Sequence, residues 1–172
     1  MNPTVGDLEG NADLIVEWTR RAAEAGAHLV AFPEMMLTGY PVEDLALRAS
    51  FVEASQRTLE QVARRLADAG LGDLPVVTGY LDRRADAPAR PGRPAGAPLN
   101  ALAWLHRGRV AVRSAKHHLP NYGVFYEFRY FVPGDRLPAV RVAGIDVAAV
   151  ICEDLWQDGG PVSVTRAAGA GL

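Results

Sequence analysis

Three residues of reactive types, Glu34, Lys116 and Cys152, each lie just beyond a short apolar segment that is predicted to be a strand. In open α/β sheets, active sites gather outside the carboxyl ends of the strands. We therefore expect a carboxylate, an ammonium group and a thiol to meet at one edge of a sheet. Together they would make a nucleophilic site.

The chemistry open to such a trio is covalent catalysis by the thiol. A cysteine with an ordinary pKa of about 8.5 is mostly protonated at neutral pH and has to be activated. The Glu34 carboxylate could take the proton, and the Lys116 ammonium could stabilise first the thiolate and then the oxyanion of a tetrahedral intermediate. Residues 153–156 could open a helical turn whose backbone N–H groups add to that stabilisation.

Each of these residues also has an ordinary interpretation. A lone cysteine at the end of an apolar strand is most often a buried small hydrophobe. Glu34 and Lys116 could be solvated charges. The adjacent His117 and His118 suggest a metal site, but neighbouring strand residues point in opposite directions and the spacings typical of zinc ligands are absent, so we expect no metal. The sequence also lacks a Gly-x-Ser-x-Gly elbow, a Walker loop and a dinucleotide fingerprint.

The elements that must position the trio alternate between helices and strands. Hydrophobic periodicity predicts helices over residues 8–25, about 50–69 and 161–168, the first of them capped by Asn11. Strands are predicted over 28–32, 75–81, 100–106, 110–115, 139–143 and 145–151, with the third and fourth forming a hairpin. Loops are expected over 33–44, 83–98 and the aromatic-rich 121–133, and the loop 83–98 is expected to carry no chemistry. This pattern predicts an α/β fold.

Composition narrows the class of protein. The 172 residues include 18 Lys and Arg against 20 Asp and Glu, so the net charge is −2 and binding of nucleic acid by bulk charge is disfavoured. With 49% apolar residues the chain can bury a core, which excludes disorder as its dominant state. The sequence has a single cysteine, and it shows neither a signal peptide nor an apolar run of about 20 residues. These features favour a cytoplasmic protein that does not enter a membrane.

Both ends of the chain favour a partial domain. The sequence opens on a turn-like Asn-Pro-Thr-Val-Gly-Asp with no predicted strand before it, and it closes on Ala-Gly-Ala-Gly-Leu. We expect residues 1–172 to form one domain that is incomplete at both ends.

Three blocks around the reactive residues resemble the nitrilase, or carbon–nitrogen hydrolase, superfamily. They are Phe-Pro-Glu-Met-Met-Leu-Thr-Gly-Tyr-Pro at 32–41, Lys-His-His-Leu-Pro-Asn-Tyr-Gly-Val-Phe-Tyr-Glu at 116–127 and Ile-Cys-Glu-Asp-Leu-Trp at 151–156. With the opening at 2–11, they are similar more narrowly to the N-terminal glutaminase domain of glutamine-dependent NAD synthetases. The resemblance covers nearly the whole chain, and 83–98 is the divergent part.

This resemblance implies an α-β-β-α sandwich of the nitrilase type and roles for seven residues. The catalytic set would be Glu34, Lys116 and Cys152. Glu127 would support Lys116, and the substrate contacts would be Tyr40, Tyr122 and Glu153.

The implied reaction is hydrolysis of glutamine through a cysteine thioester. Its ammonia would pass to an ATP-dependent synthetase domain that amidates deamido-NAD. No cofactor is expected in residues 1–172, whereas ATP and Mg are expected in the synthetase domain, whose Ser-Gly-Gly loop these residues lack. The expected partners are glutamine, that domain and further copies of the chain. Two alternatives stay open: another amidase of the superfamily that acts on a small amide or nitrile, and an inactive remnant used in assembly.

Overall fold

A computed structural model describes residues 1–86 and 96–172. Its helices are α1 (Leu8–Glu24), α2 (Ala49–Asp68), α3 (Glu127–Tyr130) and α4 (Gly160–Ala167). Its strands are β1 (Val30–Ala31), β2 (Val76–Arg83), β3 (Pro98–His106), β4 (Arg109–Ala115), β5 (Ala139–Val142) and β6 (Ile145–Ala148). Short 3₁₀ helices span Glu43–Leu47 and Cys152–Leu155.

The strands form a four-stranded sheet and a separate hairpin. In the larger sheet the order is β1-β2-β3-β4, with β1 parallel to β2 and the other neighbours antiparallel. The α1 and α2 helices pack on one face of this sheet, because both are amphipathic and bury an apolar stripe. That core includes Ile15, Leu59, Val62, Leu66, Val76, Tyr80, Ala103 and Leu105.

The opposite face of the larger sheet packs on the β5–β6 hairpin. Alternate residues of β2 and β3, namely Val77, Leu102 and Trp104, meet Val147 and Ile151 across this interface. The layers are therefore helices, sheet and second sheet. The α4 helix, which contains no buried residue, contacts the 3₁₀ helix at Cys152–Leu155.

The predicted helices and the β3–β4 hairpin are confirmed, but the cap of α1 is not where the sequence suggested. Asp7 caps α1 by accepting the N–H of Gly10. Asn11 lies one turn inside the helix and is buried, where its side-chain amide donates to the carbonyls of Thr4 and Leu37. It ties the start of the chain to the loop after β1.

Two predicted strands are shorter than expected. Only Val30 and Ala31 of the segment 28–32 pair with β2. β6 ends at Ala148 because its partner β5 begins at Ala139, so Cys152 follows an extended segment and not the strand itself. Of the expected loop 83–98, residues 87–95 lie outside the described part of the chain. Within the described residues, no helix combines the length and apolarity needed to cross a membrane.

Gly79 lets the loop after β1 lie directly on β2. The N–H of Leu37 donates to the Gly79 carbonyl at 3.0 Å. A Cβ at position 79 would lie 2.2 Å from the Met35 nitrogen and 2.7 Å from the Pro33 oxygen. Because both are backbone atoms next to Glu34, only glycine allows this approach.

We expect Gly79→Ala to lower the free energy of unfolding by about 2 kcal/mol, the scale of overpacking a tight site. Urea unfolding measures the effect. The control is Gly72→Ala, whose added Cβ would come no closer than 3.3 Å to Ala67. Equal destabilisation by the two substitutions would contradict the role given to Gly79.

Candidate active site

Glu34 is held on the loop between β1 and the 3₁₀ helix at Glu43–Leu47. Met35, Met36 and Leu37 follow it and are fully buried, so the loop is anchored by three apolar side chains. The side chain of Glu34 itself is 19% exposed. Its Oε1 accepts hydrogen bonds from Asn100 Nδ2 at 2.6 Å and from Lys116 Nζ at 2.7 Å.

Lys116 comes directly after β4 and is almost completely buried, with 1% of its surface exposed. Its ammonium bridges two carboxylates, Glu34 Oε1 at 2.7 Å and Glu127 Oε1 at 3.0 Å. Burial alone would lower the pKa of Lys116, but the two carboxylates outweigh it and raise the pKa. The ammonium therefore stays charged inside the protein.

Glu127 and Tyr40 extend this pair into a chain of contacts. Glu127 begins α3 and is 2% exposed, and its Oε1 also accepts the Tyr40 hydroxyl at 3.0 Å. Burial raises the pKa of Glu127, while Lys116 opposes that effect. Burial and the neighbouring carboxylate raise the pKa of Tyr40 as well, so its hydroxyl remains a donor.

Cys152 stands at the first position of its 3₁₀ helix with a φ of +43°, in the left-handed region that non-glycine residues rarely adopt. Its side chain is exposed, so the interpretation of Cys152 as a buried small hydrophobe is wrong. Partial loss of water around the sulfur and the charge of Glu34 raise the pKa of Cys152, against the lowering effect of Lys116. The resting thiol is protonated and close to a carboxylate.

Glu153 and Tyr122 form a second polar pair beside Cys152. The Tyr122 hydroxyl donates to Glu153 Oε2 at 2.7 Å, and Gln157 donates to the other oxygen. These hydrogen bonds, that of Gln157 first, lower the pKa of Glu153. Glu153 is 4% exposed, whereas Tyr122 is 57% exposed. Hydrogen bonds thus join Tyr40, Glu127, Lys116 and Glu34 into one group, and the pair of Tyr122 and Glu153 adjoins Cys152 along the chain.

Asn100 and Asp154 also belong to the site, although the sequence pattern predicted no role for either side chain. Asp154 is 3% exposed, and its Oδ1 accepts the backbone N–H groups of His117 at 3.1 Å and His118 at 2.7 Å. It thereby ties the turn of Cys152 to the segment of Lys116. The only sequence signal for Asn100 was one amide in an apolar strand.

The described part of the chain holds no group of three or more His, Cys, Asp or Glu side chains that could bind a metal ion. His117 instead pairs its Nδ1 with the Gly134 carbonyl at 2.8 Å. The ring of His117 therefore contacts the local backbone.

The site combines a thiol, a buried ammonium and two carboxylates at the edge of a layered α/β fold. These groups are the elements of a hydrolase that works through a cysteine. The sequence model of the Carbon-nitrogen hydrolase family matches residues 1–171, and the chain belongs to this family. The predicted resemblance is confirmed.

Two relatives show where in the family the chain lies. It is 40% identical over 157 residues to a Glutamine-dependent NAD(+) synthetase of Thermotoga maritima, covering 91% of this chain and 25% of that protein. It is 37% identical over 172 residues to the Aquifex aeolicus protein of the same name, covering 100% of this chain and 28% of that protein. The chain thus spans about a quarter of the length of these relatives.

Solved structures share the fold. The glutamine-dependent NAD+ synthetase from Acinetobacter baumannii, in complex with ADP, superposes with a TM-score of 0.78 at 28% identity, over 98% of this chain and 28% of that one. An amidase from Nesterenkonia sp. superposes with a TM-score of 0.66 at 25% identity, over 90% of this chain and 53% of that one. These matches confirm the predicted α/β fold of the nitrilase type.

The electrostatics of the thiol can be tested by alkylation. Because the charge of Glu34 raises the pKa of Cys152, Glu34→Gln should move the pH of half-maximal alkylation by iodoacetamide downward. The modification is followed by peptide mass spectrometry at Cys152. Glu60→Gln, which removes an exposed carboxylate paired with Arg113 on α2's side of the sheet, is the control. If the pH of half-maximal alkylation is unchanged or higher in Glu34→Gln, the charge of Glu34 does not raise the pKa of Cys152.

The tie made by Asp154 can be tested by unfolding. Asp154→Ala removes the buried carboxylate that accepts two backbone N–H groups, which should lower the free energy of unfolding by about 2–3 kcal/mol. Asp154→Asn keeps one carbonyl oxygen for the shorter contact, so it should lower the free energy of unfolding clearly less than Asp154→Ala does. Urea denaturation compares the two variants. A loss in Asp154→Asn as large as in Asp154→Ala would show that the acceptor oxygen is not what matters.

Proposed function

We propose that this site hydrolyses the side-chain amide of glutamine, as the glutaminase part of a glutamine-dependent NAD synthetase. The observation that carries the proposal is the Lys116 ammonium buried between Glu34 and Glu127 beside the exposed thiol of Cys152. The 40% identity to the Thermotoga maritima protein supports glutamine as the amide.

The first half-reaction forms a thioester. Cys152 gives its proton to Glu34 as its sulfur attacks the carboxamide carbon, and the carbonyl oxygen becomes an oxyanion. The Lys116 ammonium and the backbone N–H that follows Cys152 stabilise this oxyanion. Glu34 then returns the proton to the nitrogen, the carbon–nitrogen bond breaks, and ammonia leaves.

The second half-reaction restores the thiol. Water gives a proton to Glu34 while its oxygen attacks the thioester carbon, and the same donors again hold the oxyanion. The carbon–sulfur bond breaks, the sulfur recovers the proton, and glutamate leaves. Glu127 keeps Lys116 charged and directed at the reacting oxygen throughout.

Tyr40, Tyr122 and Glu153 supply the substrate contacts in this proposal. Glu153 accepts two hydrogen bonds that favour its ionised form, so a negative charge is held next to Cys152. The α-amino group of glutamine carries the complementary positive charge. A small amide such as acetamide lacks that group.

The ammonia then serves an ATP-dependent synthetase part of the same protein, which amidates deamido-NAD. ATP and Mg belong to that part in this proposal, and the glutaminase part needs no cofactor. Further copies of the chain complete the assembly, which works in the cytoplasm. The name Glutamine-dependent NAD(+) synthetase and the length of the relatives, about four times that of this chain, support a synthetase part in the same protein.

The test measures ammonia release from glutamine by the full-length polypeptide that carries this sequence. Cys152→Ala should lower the rate at least about 10³-fold, because it removes the nucleophile. Glu34→Gln should lower the rate of ammonia release nearly as much, because it removes the base. Full ammonia release by Cys152→Ala would refute the proposed role of the thiol.

Substrate preference is tested by labelling with a diazoketone analogue of glutamine, read as added mass at Cys152. Protection by glutamine and not by acetamide would support a glutaminase. Protection by acetamide alone would indicate a small-amide hydrolase. A folded protein that takes no label would indicate an inactive remnant.

A further inference from the structure

We propose that Asn100 is a positioning residue for the base of this reaction: it holds Glu34 Oε1, so that Oε2 receives the proton of Cys152. The inference deepens the proposed function and rests on it. Asn100 acts through Glu34 and is not itself assigned a contact with substrate.

Asn100 is built into the centre of the fold. It lies in β3, is 1% exposed, and stands opposite Leu81 of β2. A buried amide among apolar neighbours has to be hydrogen-bonded to be tolerated. Its Nδ2 donates to Glu34 Oε1 at 2.6 Å, whereas its Oδ1 has no partner in the described part of the protein, so the side chain is held there by the bond to Glu34.

The same residue also holds Lys116. The backbone carbonyl of Asn100 accepts the N–H of Lys116 at 2.8 Å. One residue of a rigid strand therefore fixes the base through its side chain and the start of the lysine through its main chain. Both contacts start from the same residue of β3.

The two donors on Glu34 converge on one oxygen. Asn100 Nδ2 and Lys116 Nζ both reach Oε1, at 2.6 and 2.7 Å, and a carboxylate oxygen offers two lone pairs. Neither donor reaches Oε2, which is left to take a proton. Because the terminal torsion of a glutamate has a broad energy well, a single donor would leave the plane of the carboxylate poorly defined.

An amide suits this role because it does not titrate. The other groups around Glu34 can all change charge: Lys116, Glu127 at the start of α3, Tyr40 on the loop after β1, and Cys152. Asn100 donates to the carboxylate at every pH. A donor to the ionised form of an acid also favours that form.

The experiment compares Asn100→Leu and Asn100→Asp with the unchanged full-length protein. Leucine keeps the approximate volume without a donor, and aspartate at neutral pH places an acceptor where the donor was. We expect both to lower kcat for glutamine hydrolysis about 10- to 100-fold, with KM changed less than about threefold. We also expect Asn100→Leu to move the acidic limb of the pH–rate profile to higher pH.

The matched control is Thr78→Val. Thr78 is buried in the adjacent strand β2, and its hydroxyl has no hydrogen-bond partner in the described part of the protein. The substitution is isosteric and should leave kcat and the pH profile unchanged. Urea unfolding confirms which Asn100 variant keeps its fold, and the kinetic result is read on that variant.

The outcomes separate this inference from the proposed function. A folded Asn100 variant with the kcat and the acidic limb of the unchanged protein overturns the role of Asn100. If the unchanged protein hydrolyses acetamide and not glutamine, the glutaminase proposal fails. The same loss of kcat is then expected on acetamide, because every amide would use the same base. An unchanged protein that hydrolyses neither amide overturns both.

Discussion

The structure depends on burying the ammonium of Lys116. A charge taken out of water is tolerated only with partners of opposite charge and good geometry. The partners are Glu34, 82 residues earlier in the chain, and Glu127, 11 residues later. Meeting this requirement brings together the loop after β1, the end of β4 and the start of α3. The sheet in turn offers the flat, buried frame on which these three segments can meet.

The same charge sets the chemistry around it. Glu34 and Glu127 keep Lys116 protonated, and partial loss of water together with the charge of Glu34 keeps the thiol of Cys152 protonated. The resting site thus holds a neutral thiol beside a carboxylate, with a fixed positive charge within reach. Proton transfer to the carboxylate and attack by the sulfur can then occur together when an amide arrives. Cys152 has a left-handed backbone conformation, and its side chain is exposed for this step.

Local patterns predicted the elements well where one face of the element is buried. The spacing of apolar residues found α1, α2 and the β3–β4 hairpin nearly to their ends. It failed where pairing with a partner decides the length of a strand, as in β1 and β6. It also misplaced the cap of α1, because Asn11 and Asp7 are both good capping residues. Only the contacts of Asn11 with Thr4 and Leu37 show which of them lies inside the helix.

By itself the sequence determined the reactive residue types, the order of the elements and the family, since these depend on side-chain chemistry and on short-range periodicity. Only the tertiary structure decided which oxygen of Glu34 is occupied and how the turn of Cys152 is joined to Lys116. Asn100 meets Glu34 across 66 residues, and Asp154 meets His118 across 36. No local pattern encodes such a contact, because its distance is set by the packing of strands and loops that are far apart along the chain.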